Sequence, residues 1–413
     1  MFNLLNFFKH RIYLDYASLT PVDKRVLHKV KKYSSPKYAN PSSIYKEGVL
    51  AKKAMNEGRA KVAGFIQARP SEITFTSGGT DSNNLALLGS IESLRQKGVP
   101  YEKMHIIVSV IEHSSIREIA NYLSCKGVAV SWVAVDERGR TSPEQIKTLV
   151  KPNTVFVSIM TVNNEIGSIQ PIREIAKVIR DFRKHNSKSD FDFQDFKYPI
   201  FHTDASQAAL YEELNVEKLG IDLLTLDGGK VYGPRGIGAL YIRQGTPIVP
   251  IIHGGGQEMG MRSGTENVAS IMGLAKALEI ASYDKRAERS RTWQLRNYFL
   301  EQLKLIRPGI TINSLSKSDF EDPPSSKSGF AISPHIINAS IPGIDNEFFV
   351  LQLDAKGIAC STKSSCLGDE DESYVLKAIG ADSKTSVRFS LGRWTTKGEL
   401  KRVVKVIKTI RTI

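Results

Sequence analysis

Lys230 follows an apolar segment and two glycines, in the stretch IDLLTLDGGKVYGPRGIGA at 221–239. The apolar run is typical of a buried strand, and the glycines and Pro234 indicate a turn after it. A lysine at such a turn, where glycines let a flat ligand approach the backbone, suits Schiff-base chemistry with a carbonyl cofactor such as pyridoxal phosphate. A solvated lysine in a surface turn is the alternative at this point.

Other polar residues also come at or just after the ends of predicted strands: Glu112, His113, Asn164, Asp204 and Gln207. His113 ends the apolar segment 105–113, where an imidazole can stack on an aromatic cofactor, shuttle protons or make only a local hydrogen bond. In a parallel sheet these residues would emerge at one edge, where ligands bind in open α/β folds. The pattern therefore predicts one site built from several strand ends.

A predicted strand at 72–76 runs through small residues, including Gly79 and Thr80, into a predicted helix. The start of a helix presents free backbone N–H groups and the positive end of the helix dipole, so this junction can bind an anion such as a cofactor phosphate. A tight turn with Thr80 as a helix cap is the alternative.

Composition limits the classes of protein to consider. The chain has 413 residues, 41% of them hydrophobic, and a net charge of +14. Lysine and arginine are spread along the chain, so a nucleic-acid partner is not expected. The cysteines Cys125, Cys360 and Cys366 form neither a disulfide framework nor a CxxC pair, which predicts a reducing, cytoplasmic location and no metal site. Residues 1–11 lack a long apolar core, so they predict a short packed helix and no membrane contact.

Strands alternate with helices through the first half of the chain, which predicts an α/β fold with a parallel sheet. The second half is built differently, with two separate helices predicted in ENVASIMGLAKALEIA and RSRTWQLRNYFLEQLKLI. Polar insertions are predicted at 187–199 and 316–329. No internal repeat is present.

Many ordered blocks together resemble a known family, the class V aminotransferase-like pyridoxal phosphate enzymes, and within it the cysteine desulfurases of the NifS/IscS type. The blocks are YLDYASLTPVD, NPSS, FTSGGTDSNN, IEHSS, VNNEIGSIQPI, HTDASQA, KVYGPRGIGALYIR, GGGQEMGMRSGTEN, SSC before SYVLKAIG, and VRFSLGRWTT. They cover nearly the whole chain, so their combination is far more specific than any one of them.

The resemblance implies a fold-type I pyridoxal phosphate enzyme that acts as a homodimer. It implies a large cofactor-binding domain over 12–265 with a mostly parallel sheet. A smaller α+β domain, 266–413 together with 1–11, would carry the cysteine loop.

The resemblance also implies roles around the cofactor ring. Lys230 falls at the Schiff-base position, and its amine can move the proton from the substrate α-carbon. Asp204 matches the carboxylate that pairs with the pyridinium nitrogen. Gln207 matches a donor to the phenolic oxygen, His113 the imidazole stacked on the ring, and Asn164 a side chain that touches substrate or a ring oxygen.

Further positions match residues that hold the phosphate and the substrate. Gly79 and Thr80 match phosphate donors, and Thr265 matches a donor that reaches the phosphate from the second subunit. Arg388 matches the arginine that grips the substrate carboxylate through two parallel bonds. Cys366 matches the nucleophile, which as a thiolate would take the sulfur of L-cysteine as a persulfide and leave L-alanine.

The implied activity is that of a cysteine desulfurase, which passes sulfur to an acceptor protein for iron–sulfur cluster assembly or for transfer RNA thiolation. Two alternatives stay open at this point. One is a selenocysteine lyase-like enzyme of the same fold. The other is a non-catalytic scaffold with weak or lost cofactor binding.

The chain departs from the family where the phosphate should bind. The family usually has serine and histidine in S-x-H-K before the lysine, whereas this chain has Asp227 and Gly229. At a separation of about 4 Å and an effective dielectric constant near 20, two unit like charges repel by roughly 4 kcal/mol. Either Thr80, Thr265 and backbone groups hold the cofactor in spite of Asp227, or the site binds it weakly.

A second departure follows Cys366, where the run LGDEDE is acidic. Negative charge near a thiol disfavours the thiolate, so slower attack is expected. The run is interpreted either as a solvated loop or as a docking segment for a basic sulfur acceptor. Cys360 is expected to be a small buried hydrophobe.

Overall fold

The computed structural model describes residues 11–35, 37–185, 196–315, 332–362 and 372–410. Its strands are β1 Ile12–Tyr13, β2 Ile73–Thr76, β3 His105–Ser109, β4 Ala129–Val133, β5 Thr154–Ser158, β6 Ile200–Asp204, β7 Leu223–Asp227, β8 Gly238–Ile242, β9 Thr311–Asn313, β10 Ile336–Ser340, β11 Ile358–Ala359 and β12 Ser386–Ser390. Its α-helices are α1 Lys24–Ser34, α2 Lys46–Ile66, α3 Gly79–Gln96, α4 Ser114–Cys125, α5 Pro143–Leu149, α6 Ile172–His185, α7 Val216–Leu219, α8 Val268–Ile306, α9 Asn346–Ala355, α10 Tyr374–Ala378 and α11 Lys397–Thr409.

The main sheet has seven strands in the order β2-β8-β7-β6-β5-β3-β4. Neighbours from β7 to β4 are parallel, whereas β8 is antiparallel to both β7 and β2. Six strands therefore run in one direction, and their carboxyl ends meet at one edge of the sheet. The predicted α/β fold with a mostly parallel sheet is confirmed.

The central strands are apolar because helices cover both faces of the sheet. In β3, Ile106 and Val108 pack in one hydrophobic cluster with residues of α3 and α4. Ile107 points to the other face and packs in a second cluster with residues of α6 and α8. Burying each such side chain contributes about 1.5–3 kcal/mol, so the two clusters hold the sheet edge in place.

A smaller α+β part follows the main sheet, as predicted. Strands β9, β10 and β12 form an antiparallel sheet, and β1 pairs in parallel with β11. Ile12 and Leu14 pack in the same hydrophobic cluster as Phe389 and Leu400. The start of the described chain is thus tied to its C-terminal part, and the domain boundary at 265/266 stays a prediction.

Two predicted elements are different in the structure. The two helices expected after residue 266 are one continuous helix, α8, of 39 residues. No glycine or proline interrupts ASYDKRAERS between the two apolar segments, so nothing ends the first helix. The strand expected to reach His113 ends at Ser109, because Glu112 donates its N–H back to the Ser109 carbonyl in a turn. The short helix expected at 1–11 and most of the two polar insertions lie outside the described residues.

A buried ion pair joins α2 to the loop before α8. Arg59 donates from Nη1 and Nη2 to the two carboxylate oxygens of Glu258, at 2.7 and 2.8 Å. Glu258 also accepts the N–H of Phe75 in β2, at 2.8 Å. The pair therefore connects a helix, a loop and an edge strand of the main sheet.

We expect Arg59→Met to lower the free energy of unfolding by about 3–5 kcal/mol, because it leaves the Glu258 carboxylate buried without its counter-charge. Lys61→Met is the matched control on the same helix, since Lys61 makes an exposed pair with Glu279. That control should cost under about 1 kcal/mol. Urea unfolding measures both, and equal effects of the two substitutions would contradict the structural role of the buried pair.

Candidate active site

A cavity of about 180 Å³ opens at the carboxyl edge of the main sheet. Among the predicted site residues it is lined by Gly79, Thr80, His113, Asn164, Asp204, Gln207, Asp227, Lys230 and Arg388. The sequence analysis did not assign the other lining residues: Ala17, Ser18, Ser115, Met160, Val162 and Ser206. The structure therefore brings together all the predicted site residues except Thr265 and Cys366.

Lys230 is positioned by β7 and by the short 3-10 turn Gly228–Lys230 that follows it. A Cβ at Gly228 would lie 2.7 Å from the carbonyl oxygen of Pro234, so this turn requires a glycine. The Lys230 amine donates to the carbonyl oxygen of Ala17 at 3.1 Å and to that of Ser18. The amine is thus held inside the cavity by backbone from the segment after β1.

Asp204 ends β6, and its side chain is fixed by two hydrogen bonds. It accepts from the Asn83 amide at 2.8 Å and from the Ser206 N–H at 2.9 Å. The residue is only 7% exposed, so its carboxylate acts in a largely desolvated setting. Asn83 was missed by the sequence analysis, although it lies in the FTSGGTDSNN block; an asparagine, a poor helix former, near the start of the predicted helix is the signal that could have found it.

His113 caps the start of α4. Its Nδ1 accepts the N–H of Ser115 at 3.2 Å, which places the proton of the neutral imidazole on Nε2. The Ser115 hydroxyl lies 2.8 Å from the same nitrogen and 2.8 Å from the amide nitrogen of Asn83, which donates to it. A short chain of hydrogen bonds therefore links His113 to Asp204.

Gln207 is held by two partners. Its amide nitrogen donates to the Ala17 carbonyl at 2.8 Å, and its amide oxygen lies 3.3 Å from Nε2 of His335. His335 was missed by the sequence analysis; it stacks on Tyr211 at 4.5 Å, and burial lowers its pKa to about 3. A neutral His335 whose Nδ1 faces the Ser333 hydroxyl can donate from Nε2 and so orient the Gln207 amide.

Arg388 lies in β12 and is 1% exposed. Its Nη2 donates to the Asp15 carboxylate at 2.9 Å and to the Ser18 hydroxyl at 2.7 Å, and its Nη1 donates to the Asn164 carbonyl at 2.8 Å. Its Nε has no acceptor among the described residues. The guanidinium therefore borders the cavity with its plane fixed by three acceptors, and Asp15 balances its charge.

Asp227 lies where the sequence predicted a phosphate. Its Oδ2 accepts the N–H of Gly79 at 2.9 Å, and its Oδ1 accepts that of Gly229 at 2.7 Å. The Ser206 hydroxyl is buried beside this carboxylate without a hydrogen-bond partner among the described residues. Thr80 is exposed at the rim of the cavity.

Two predicted site residues are not part of the cavity. Thr265 is exposed in the loop before α8 and does not line it. Cys366, together with the acidic run after it, lies outside the described residues. Cys360 is half-buried against the C-terminal hydrophobic cluster, and burial raises the pKa of its thiol, which agrees with a packing role.

Buried titratable groups lie beneath the cavity floor. Glu112 accepts the N–H of Met160, and burial raises the pKa of its carboxyl to about 8. His202 bridges Ser158 and Thr225, at 2.9 and 3.1 Å, and burial lowers its pKa to about 4. Both groups are therefore neutral near pH 7.

These residues fit the ring end of pyridoxal phosphate. A lysine amine, a buried carboxylate and a neutral imidazole converge on one cavity, which is the donor set that the cofactor requires. The phosphate end differs, because a carboxylate of the chain itself already accepts the Gly79 N–H.

In the part of the chain that the structure describes, no group of three His, Cys, Asp or Glu residues could hold a metal ion. No helix in the same ranges is both long and apolar enough to cross a membrane.

Comparison with known proteins covers nearly the full chain. Residues 12–403 match the family model described as aminotransferase class-V. The chain is 38% identical over 413 residues to a protein of Dictyoglomus turgidum named cysteine desulfurase IscS, which covers 98% of this chain and 96% of that protein. It is similar to a solved NifS-like protein, with a TM-score of 0.84, 33% identity, and coverage of 96% and 98% of the two chains. It is also similar to SspA, solved in complex with cysteine, with a TM-score of 0.75, 32% identity, and coverage of 93% and 100%.

We expect Glu112→Gln to change how stability depends on pH. Burial raises the folded-state pKa of Glu112 from its ordinary value of 4.5 to about 8. The contribution of Glu112 to the free energy of unfolding is therefore fully present below pH 4.5 and is lost as the pH rises through 8. Between pH 6.5 and 8 the unfolding free energy of the wild type should therefore fall, relative to the variant, by up to about 1.4 kcal/mol per pH unit.

Urea titrations at several pH values measure this difference. Glu118→Gln, at an exposed position of α4, should leave the pH dependence unchanged. A constant offset between the wild type and Glu112→Gln across the pH range would show that Glu112 does not titrate this way.

Proposed function

Because this chain belongs to the aminotransferase class-V family and to the cysteine desulfurases within it, we propose that it takes sulfur from L-cysteine and releases L-alanine. The observation that carries the proposal is the single cavity that contains Lys230, Asp204, His113 and Arg388. Enzymes of this family depend on pyridoxal phosphate and have the fold-type I architecture expected from the sequence.

Lys230 would attach the cofactor and then act on the substrate. When bound, pyridoxal phosphate supplies an electron sink for the substrate α-carbon. The Lys230 amine, held in the cavity by the Ala17 carbonyl, is the base that would move the α-proton. Asp204, fixed by Asn83, would keep the ring nitrogen protonated, and the neutral His113 ring would lie against the cofactor face.

Arg388 would orient the substrate by its carboxylate. A planar guanidinium makes two parallel charge-assisted bonds to a carboxylate, which fixes direction as well as position. Because both Nη2 hydrogens are donated to Asp15 and Ser18, the substrate carboxylate would replace these acceptors, while the Asn164 carbonyl continues to hold Nη1. Asn164, whose own side chain borders the cavity, would contact the substrate from the adjacent wall.

Cys366 would receive the sulfur. Its thiolate attacks the sulfur of the bound cysteine, so that an S–S bond forms while the C–S bond breaks. The electron pair of the broken bond stays on the substrate carbon, which takes a proton and leaves as alanine. Cys366 is left as a persulfide, the form in which sulfur can pass to an acceptor protein for iron–sulfur clusters or transfer RNA thiolation.

A second copy of the chain would complete the phosphate end through Thr265. Thr265 is exposed and outside the cavity of its own chain, which is consistent with a role across an interface. Large hydrophobic side chains are also exposed at the start of α2: Ile44, Tyr45, Val49 and Leu50, with Ile44 97% exposed. An apolar patch of this kind supports a homodimer. A reducing, cytoplasmic setting would keep the thiol of Cys366 available.

The activity test uses purified protein loaded with pyridoxal phosphate and supplied with L-cysteine and a reductant. We expect equal amounts of alanine and sulfide from the wild type. Lys230→Ala should lose both products together with the visible absorption band of lysine-bound cofactor. Cys366→Ala should keep the absorption band and lose cysteine turnover.

Cys125→Ala is the control, since Cys125 is exposed at the end of α4 and away from the cavity. No alanine from the loaded wild type would overturn the proposed function. Selenide release from selenocysteine by Cys366→Ala, without turnover of cysteine by the wild type, would favour the lyase instead.

We expect Arg388→Lys to raise KM for L-cysteine by about ten- to a hundredfold, because a lysine cannot form the second charge-assisted bond, which is worth about 1.5–3 kcal/mol. Arg393→Lys is the matched control, because Arg393 pairs with Asp23 and does not line the cavity. Steady-state kinetics of both variants measures the change in KM for L-cysteine. A change in kcat alone would contradict a role for Arg388 in substrate binding.

A further inference from the structure

The start of α3 has the features of an anion-binding site. Gly78 has a φ of +145°, a conformation that side chains rarely adopt, and the first helical N–H groups have no side-chain cap from Gly78. A Cβ at Gly238 would lie 2.8 Å from the Gly78 backbone, so the glycine in β8 lets the helix start approach the end of β7. Backbone donors and the helix dipole are thus brought to the floor of the cavity.

Asp227 already occupies this position as an anion. Its two carboxylate oxygens accept from Gly79 and Gly229, so one side chain bridges the start of α3 and the turn that carries Lys230. A Cβ at Gly79 would lie 3.1 Å from the Asp227 carboxylate and 3.4 Å from the Ser206 hydroxyl. The Gly79 and Gly229 N–H groups are therefore already hydrogen-bonded to a carboxylate of the chain itself.

A second carboxylate shares the same helix start without entering the cavity. Asp81 accepts from the Ser77 N–H at 2.8 Å and pairs with Arg262 at 3.1 Å. It does not line the cavity, and its charge is balanced by an arginine. Among the described residues Asp227 has no basic partner, and its carboxylate accepts from two backbone N–H groups.

A phosphate group and the Asp227 carboxylate would compete for one set of donors. A phosphate monoester carries a charge of about −1.5 to −2 near pH 7, so placing it beside an ionised carboxylate is unfavourable. To reach the Gly79 N–H, a phosphate would have to displace Asp227 and leave its charge in a part-buried cavity.

We infer that Asp227 is a specificity-determining residue, an internal anion in the place of the cofactor phosphate, so that this chain gains little affinity from the phosphate of pyridoxal phosphate over pyridoxal. The inference rests on the proposed function, because it concerns the cofactor of that same site. Lys230, Asp204 and His113 would still recognise the aldehyde and the ring, which the two compounds share.

The test measures binding of two aldehydes, pyridoxal and pyridoxal phosphate, to cofactor-free protein through the absorption band of the lysine adduct. The compared quantity is the ratio of the two affinities in each protein, so that differences in the solution chemistry of the aldehydes cancel. Asp227→Ser removes the charge and keeps a hydroxyl that can cap Gly229. We expect it to raise the affinity for pyridoxal phosphate at least about tenfold and to change that for pyridoxal less than about threefold.

Asp227→Asn removes the charge but keeps the size and shape of the side chain. It should shift the ratio of the two affinities in the same direction as Asp227→Ser. Asp81→Asn is the matched control at the same helix start and should change the ratio less than about threefold, because Asp81 does not face the cavity. If both Asp227 variants leave the ratio unchanged, including the case in which both aldehydes gain affinity equally, the inference is overturned.

A measurement on the wild type alone covers the case in which the variants do not fold. Pyridoxal is titrated with and without inorganic phosphate at constant ionic strength. Because Asp227 already occupies the anion position, phosphate should leave the pyridoxal affinity unchanged. A clear gain in affinity would show a vacant phosphate site and overturn the inference.

The same titrations separate this inference from the proposed function. An absorption band that is lost in Lys230→Ala supports the cofactor chemistry whichever aldehyde binds better. No band with either aldehyde, in the wild type and in both Asp227 variants, would overturn the proposed function and the inference with it.

Discussion

Strands β2, β3, β5, β6 and β7 run in one direction, and the site depends on this shared direction. Each strand is buried on both faces, so the chain can leave the sheet only at its ends, and the carboxyl ends all meet at one edge. Gly79, His113, Asp204 and Lys230 lie at or just after the ends of four different strands, yet they line one cavity. Packing of the apolar strands therefore brings together polar groups that are far apart in the chain.

The charges gathered in this way are mostly balanced inside the cavity wall. Arg388 is paired with Asp15, and Asp204 is held by the Asn83 amide. Glu112 and His202 stay neutral near pH 7, because ionising them would place an unbalanced charge in a buried site. Among the described residues Asp227, like Asp204, is held by N–H donors and by no basic side chain, but Asp227 lies where the cofactor phosphate is expected, and this makes the phosphate end of the cavity different from the ring end.

Much of the fold could be predicted because its signals are local. Apolar runs, capping residues and glycine turns identified the alternating strands and helices, and hence the parallel sheet. The same signals misplaced the end of β3 and divided α8 into two helices. In both cases the apolar pattern was read correctly, but the deciding contact was a turn hydrogen bond at Ser109 or the absence of any residue that ends a helix. The exact end of a strand or helix depends on single residues and leaves only a weak signal in the pattern of hydrophobicity.

The sequence by itself determined the chemistry that is available: a lysine, a carboxylate, an imidazole and an arginine at the ends of predicted elements, in the order of a known family. Only the tertiary structure decided which groups satisfy one another. Asp227 meets Gly79 across 148 residues of chain, and Arg388 meets Asp15 across 373. Hydrogen bonds between such distant residues depend on distances of a few tenths of an ångström, which follow from packing of the whole fold and leave no pattern in the local sequence.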